Sequence, residues 1–169
     1  MVSYCADKPK YDFEVLIGGS FLARRRCQRQ APLLALGIPV LPAPWVIAVI
    51  DDDASVRAAT NNLLCSHGYM VHTFASAEEF LQSAHLDTSS CVVADVQMPA
   101  MSGLDLLAHM RAKGYPAPFI FITAFAEESM RDRAIQAGAT CFLAKPFAGP
   151  VLIDCIETAL IQDTDGVDQ

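Results

Sequence analysis

Positive charge is scarce: 12 Lys and Arg stand against 19 Asp and Glu in 169 residues, a formal net charge of −7. Neutralising phosphates needs clustered Lys and Arg, so this balance argues against a nucleic-acid-binding surface made by this chain alone, and any DNA role would be indirect. Charge of either sign is also sparse, 18% against 53% hydrophobic residues, which excludes a wholly disordered polymer. At roughly 100 to 200 residues per domain the length allows one compact domain with some surplus, not a large multidomain enzyme. The six cysteines (Cys5, Cys27, Cys65, Cys91, Cys141 and Cys155) form no CxxC pair and have no His at ligand spacing, which argues against zinc. Cys65, Cys91, Cys141 and Cys155 sit in apolar runs, where a free cysteine acts as a small buried hydrophobe, and a reducing cytoplasm suits them. There is no GxxxxGK[ST], and Gly18-Gly19-Ser20 lacks the lysine of a nucleotide-binding loop. Residues 30–50 are uncharged and follow Arg24, Arg25 and Arg26, but Pro32, Pro39, Pro42 and Pro44 break them, and Asp51 to Asp53 follow directly. A membrane-spanning helix is therefore not expected.

The charge is unevenly placed. Residues 1–45 carry a net +3, from Lys8, Lys10, Arg24, Arg25, Arg26 and Arg29 against Asp7, Asp12 and Glu14, whereas residues 46–169 carry −10. The boundary predicts a poorly ordered N-terminal extension over 1–45, a folded domain over 46–162 and a polar tail over 163–169.

From Trp45 onward short apolar runs alternate with stretches of helical period, the pattern of a parallel sheet with crossover helices. Strands are expected at 45–50, 69–74, 91–94, 119–123 and 141–144. The first helix has Val56, Ala59, Leu63 and Leu64 on one face and stops at Gly68, and the second starts at Ser76 with Glu78 and Glu79 in its first turn. The third, after a loop with Pro99 and Gly103, carries Leu104, Leu107 and Ala108. The fourth carries Met130, Ala134 and Ala137, and the last carries Leu152, Cys155, Ile156, Ala159 and Leu160. The sum is an α/β fold of five βα rounds.

Ligands of such sheets bind outside the carboxyl ends of the strands. The residues there are Asp51, Asp52 and Asp53 after the first strand, Asp95 after the third, Thr123 after the fourth and Lys145 after the fifth. Three carboxylates so close need a compensating cation, and a hard divalent ion with oxygen ligands, Mg²⁺, fits. A metal, a lysine and a threonine hydroxyl together stabilise a transferring phosphoryl group, with one carboxylate as nucleophile. Asp95, alone at the end of an apolar strand, is the candidate for that role, and Asp53 reads as the cap of the following helix.

The runs VIAVIDDD at 46–53, ADVQMPAMSGLDLL at 94–107, FITAFAE at 121–127 and GATCFLAKPF at 138–147 resemble the receiver domain of two-component response regulators, nearest the FixJ-like group. The spacings agree: 43 residues from Asp52 to Asp95, 28 from Asp95 to Thr123 and 22 from Thr123 to Lys145. The resemblance implies a flavodoxin-like three-layer sandwich with strand order 2-1-3-4-5. It implies that a sensor histidine kinase phosphorylates Asp95, and that Asp51, Asp52, Asp95 and the Gln97 backbone carbonyl hold Mg²⁺. It assigns the phosphoryl oxygens to Thr123 and Lys145, the switch aromatic to Phe142, a cis peptide bond to Lys145-Pro146, and tuning of the phosphoryl lifetime to Gln97 and Phe125. Kinase specificity would lie near Ser55, Val56 and Ala59 with Pro146 and Phe147. Phosphorylation would draw Thr123 inward and shift the fourth and fifth βα units, whose surface at 127–137 and 151–160 meets an effector or a second copy of the chain.

Two alternatives share these features. A phosphatase of the haloacid-dehalogenase type also joins an Asp nucleophile, Mg²⁺, a hydroxyl and a lysine, but its DxDx[TV] motif is not met by Asp51-Asp52-Asp53-Ala54-Ser55. A receiver-fold binding module that works without phosphorylation is the other, and the intact set Asp51, Asp52, Asp95, Thr123 and Lys145 argues against it. Receivers of this group usually continue into a helix-turn-helix, whereas this chain stops at Gln169; a stand-alone receiver and a truncated product both fit.

Overall fold

The computed structural model describes residues 44–124 and 126–165. The expectation of a poorly ordered extension falls almost wholly on residues 1–43, outside the described residues, as does the role expected of Phe125.

Five strands, β1 (Val46–Ile50), β2 (Met70–Phe74), β3 (Cys91–Asp95), β4 (Phe119–Thr123) and β5 (Cys141–Ala144), alternate with helices α1 (Ala54–Ser66), α2 (Ala77–Leu81), α3 (Gly103–Ala112), α4 (Glu128–Gln136) and α5 (Gly149–Asp165). All strand pairs are parallel and the order is β2-β1-β3-β4-β5, with Ile50 beside both Phe74 and Ala94, and Thr123 beside Ala144.

The continuous apolar runs of β1, β3 and β4 follow from burial on both faces. Successive side chains alternate across the sheet. Ala48, Ile50, Val92, Ala94, Phe119 and Phe121 join Phe80 of α2, Leu106, Leu107 and Met110 of α3 and Ala134 of α4 in one core. Ile47, Val49, Val93, Ile120 and Ile122 join Leu64 of α1 and Leu152, Ile153 and Ile156 of α5 in the other.

Two details differ from the sequence expectation. Leu64 and Leu107 are buried as expected, but Ala59, Ala108 and Ala137 are exposed, and Thr60, Cys65, Leu106 and Met110 are buried in addition. The helix α5 runs to Asp165. Cys141 and Cys155 are not buried thiols: both are half-buried and joined as a disulfide, because β5 lies against α5 and brings their Cα atoms to 6.3 Å. Cys65 and Cys91 are buried and outside any disulfide, as expected. No helix of the described residues is long and apolar enough to cross a membrane.

Candidate functional site

The strand order reverses between β1 and β3, which opens a crevice at their carboxyl ends. Asp51 follows β1 and is wholly buried; Asp95 ends β3 and is 8% exposed. Asp52, which follows Asp51, is exposed. One carboxylate oxygen from each of Asp51, Asp52 and Asp95 lies within 4.8 Å of the others.

Lys145 enters from the far side. It follows β5, two strands from β3 and three from β1, so at about 4.8 Å per strand it must reach across roughly 10 to 14 Å of sheet. A long side chain is required. Its backbone N–H is tied to the Thr123 carbonyl at 2.7 Å, and its ammonium donates to Asp51 Oδ2 at 2.7 Å and to Asp95 Oδ2 at 2.8 Å. The Lys145 side chain is only 19% exposed. Burial pushes its pKa down, but the hydrogen bonds and charges of Asp51 and Asp95 outweigh this and hold it above the usual lysine value. The ammonium therefore stays charged.

The carboxylates are aimed by the backbone. Asp51 Oδ1 accepts from the Asp53 N–H at 2.9 Å, and Asp95 Oδ1 accepts from the Gln97 N–H at 3.0 Å. Asp53 accepts from the Ser55 and Val56 N–H groups at 2.7 and 3.4 Å, which caps α1 and lowers its pKa, so it belongs to the helix and not to the acidic cluster. Thr123 is wholly buried at the end of β4, Gln97 is exposed, and the following Ala124 is a small exposed residue. Phe142, half-buried on β5, packs against the core on the α4 side of the sheet, and the Lys145–Pro146 bond is cis.

Two site residues escaped the sequence reading. Arg57, on the first turns of α1, donates through Nη1 to the Asp51 carbonyl at 2.6 Å and so fixes the backbone on which two of the acids sit. Gly103 opens α3 directly against the Asp95 backbone: a Cβ there would overlap the Asp95 carbonyl oxygen and lie 2.8 Å from Phe121 Cε1.

An ionised carboxylate offers about four lone-pair sites. Lys145 and one backbone N–H occupy one each on Asp51 and on Asp95, which leaves further oxygen positions on each carboxylate. Three carboxylates against one ammonium leave a negative excess, so the donor set fits a hard divalent cation held by Asp51, Asp52 and Asp95.

The family profile described as the response regulator receiver domain matches residues 47–157. The chain belongs to the response regulator receiver family. It is 40% identical over 118 residues to nodulation protein W of Bradyrhizobium diazoefficiens, which covers 70% of this chain and 52% of that protein. The transcriptional regulatory protein FixJ of the same organism is 40% identical over 116 residues, 69% of this chain and 57% of its own length. Among solved structures, FixJ-N superposes with a TM-score of 0.65 and 33% identity, over 71% of this chain and 96% of that one. The chain spans about half the length of the curated relatives it matches. As a receiver it is a signalling domain of the flavodoxin-like fold, and the site described above lies within the matched residues.

Proposed function

We propose that this receiver takes a phosphoryl group onto Asp95 from the phosphohistidine of a sensor kinase, and that Asp51, Asp52, Asp95 and the Gln97 carbonyl hold Mg²⁺ while it does so. The observation that carries this reading is the Lys145 ammonium shared between Asp51 and Asp95 beside a third carboxylate. Mg²⁺, when bound, offsets the negative charge of the transferring phosphoryl group. An Asp95 carboxylate oxygen attacks phosphorus, the P–N bond to the kinase imidazole breaks, and the imidazole leaves with the bonding electron pair. Lys145 then exchanges part of its contact with Asp95 for a phosphoryl oxygen, and the Thr123 hydroxyl donates to another. The added charge of about −1.5 to −2 favours a conformation in which Thr123 and Phe142 have moved inward. The output is a change in the α4, β5 and α5 surface. Exposed Ile135, Val151 and Ile161 support its use as a contact face for an effector or a second copy.

The test is incubation with acetyl phosphate, with and without Mg²⁺, followed by intact-mass measurement beside Asp95→Asn. One phosphoryl group is gained only with Mg²⁺ and only by the natural chain. An equal gain by the variant, or none by either protein, overturns the reading, and the second result would leave a module that works by contact alone.

A further inference from the structure

Cys141 and Cys155 have no part in the chemistry proposed for Asp95, yet their placement is specific. Their Cα atoms are 6.3 Å apart, within the span a disulfide bridges, about 4.4–6.8 Å. Alternation along β5 turns Cys141 and Leu143 toward the core shared with α5, and Phe142 toward the opposite face. On α5, Cys155 adjoins the buried Ile156 and packs against the same core. Both sulfurs belong to half-buried residues, whereas Cys65 and Cys91 are buried and outside any disulfide. Reactive, sensing cysteines are accessible and stand beside a second thiol that can resolve them, which is the arrangement at Cys141 and Cys155.

The bond also falls where the sheet is held least. Among the described residues, the strand β5 is an edge strand of four residues, hydrogen-bonded to β4 alone, and none of its residues is fully buried. The cross-link closes a loop of 14 residues that contains Phe142 and Lys145. Closing a loop of that size removes open states of the segment while leaving the folded arrangement in place.

We propose that Cys141 and Cys155 form a reversible thiol–disulfide pair that clamps β5 to α5 when oxidised and frees the strand leading into Lys145 when reduced. The oxidant class is a low-molecular-mass disulfide such as glutathione disulfide. One cysteine thiolate attacks it and expels a glutathione thiolate, and the second cysteine attacks the protein sulfur of the mixed disulfide and expels the other. The protein loses two electrons and two protons, and one glutathione disulfide becomes two glutathione thiols. None of this depends on phosphorylation of Asp95.

The full chain is equilibrated across a series of glutathione redox buffers without Mg²⁺ or phosphoryl donor, alkylated with iodoacetamide and mapped by mass spectrometry. Amide hydrogen exchange is measured at both ends of the series. Cys141 and Cys155 are expected to lose labelling together as the buffer becomes oxidising and to regain it after dithiothreitol. The amides of 141–145 are expected to exchange on the order of tenfold more slowly in the oxidised chain. In Cys155→Ser the labelling of Cys141 loses that joint, buffer-dependent protection and the exchange difference disappears. Full labelling of both cysteines throughout, protection of one without the other, or joint protection with unchanged exchange over 141–145 each overturns the proposal. The natural chain alone decides among these, so the outcome stands even if the variant fails to fold.

Discussion

At the residue scale, a single methyl group decides how Asp95 is held. Gly103 donates its N–H to the Val96 carbonyl at 3.0 Å and presses against the Asp95 backbone, with Phe121 behind it. In Gly103→Ala the new carbon meets main chain, which cannot swing aside as a flexible side chain would. A loss of about 1–3 kcal/mol is expected from overpacking, read as a lower urea midpoint, together with slower phosphoryl uptake because Asp95 shifts. Three residues earlier the opposite holds. Ala100 has φ +64°, a left-handed conformation that disfavours a side chain. Its cost is about 1–2 kcal/mol, and glycine returns roughly 0.5–1 kcal/mol of that as unfolded-chain freedom, so Ala100→Gly is expected to gain up to about 1.5 kcal/mol and raise the Tm. An unchanged or lower Tm would show that the loop is not strained there.

At the scale of elements, α3 depends on its first turn. The Ser102 hydroxyl oxygen accepts from the Asp105 N–H at 3.2 Å, and the Asp105 carboxylate accepts from the Ser102 N–H at 3.3 Å, a reciprocal cap. Ser102→Ala is expected to cost about 1 kcal/mol, measured by chemical denaturation, with Asp95 still competent for phosphoryl uptake. The strands were legible in the sequence to within a residue, because β1, β3 and β4 are buried on both faces and turn polar only where Asp51, Asp95 and Thr123 emerge. The helix faces were less so. Alanine changes burial energy little, and a pattern drawn through Ala59 and Ala108 cannot distinguish a core position from a solvent position. Asp51, Asp95 and Lys145 were legible as a cluster because all follow strand ends. Arg57 was not, because its partner is a backbone carbonyl and carries no signature in the side-chain sequence. Nor was the pairing of Cys141 with Cys155, which exists only once α5 lies on the sheet.

At the scale of the whole molecule, groups outside the site also make stability depend on pH. His72 on β2 stacks on His85, with ring centroids 3.6 Å apart and Phe74 nearby. Burial, then the neighbouring His85, lowers its pKa below the usual 6.5. The folded state then binds fewer protons than the unfolded chain, so its contribution is present above 6.5 and is lost as the pH falls through that value and the lowered one. The urea midpoint is expected to be lower at about pH 5.5 than at about pH 7.5, and His72→Gln is expected to flatten this difference; a variant with the same slope would place its origin elsewhere. At the alkaline end burial pushes Tyr69 up to about 12 from 10.0, and the stability it adds disappears between those values. The separation of the acidic cluster from its lysine has a consequence for synthesis. Lys145 meets Asp51 across 94 residues of chain and Asp95 across 50. While the polypeptide is still being made, β1 and β3 leave the ribosome with their carboxylates and without their ammonium. The unfinished chain therefore carries the acidic pair without the ammonium that bridges it in the finished fold, and the site comes into being only once the fifth strand has emerged and docked.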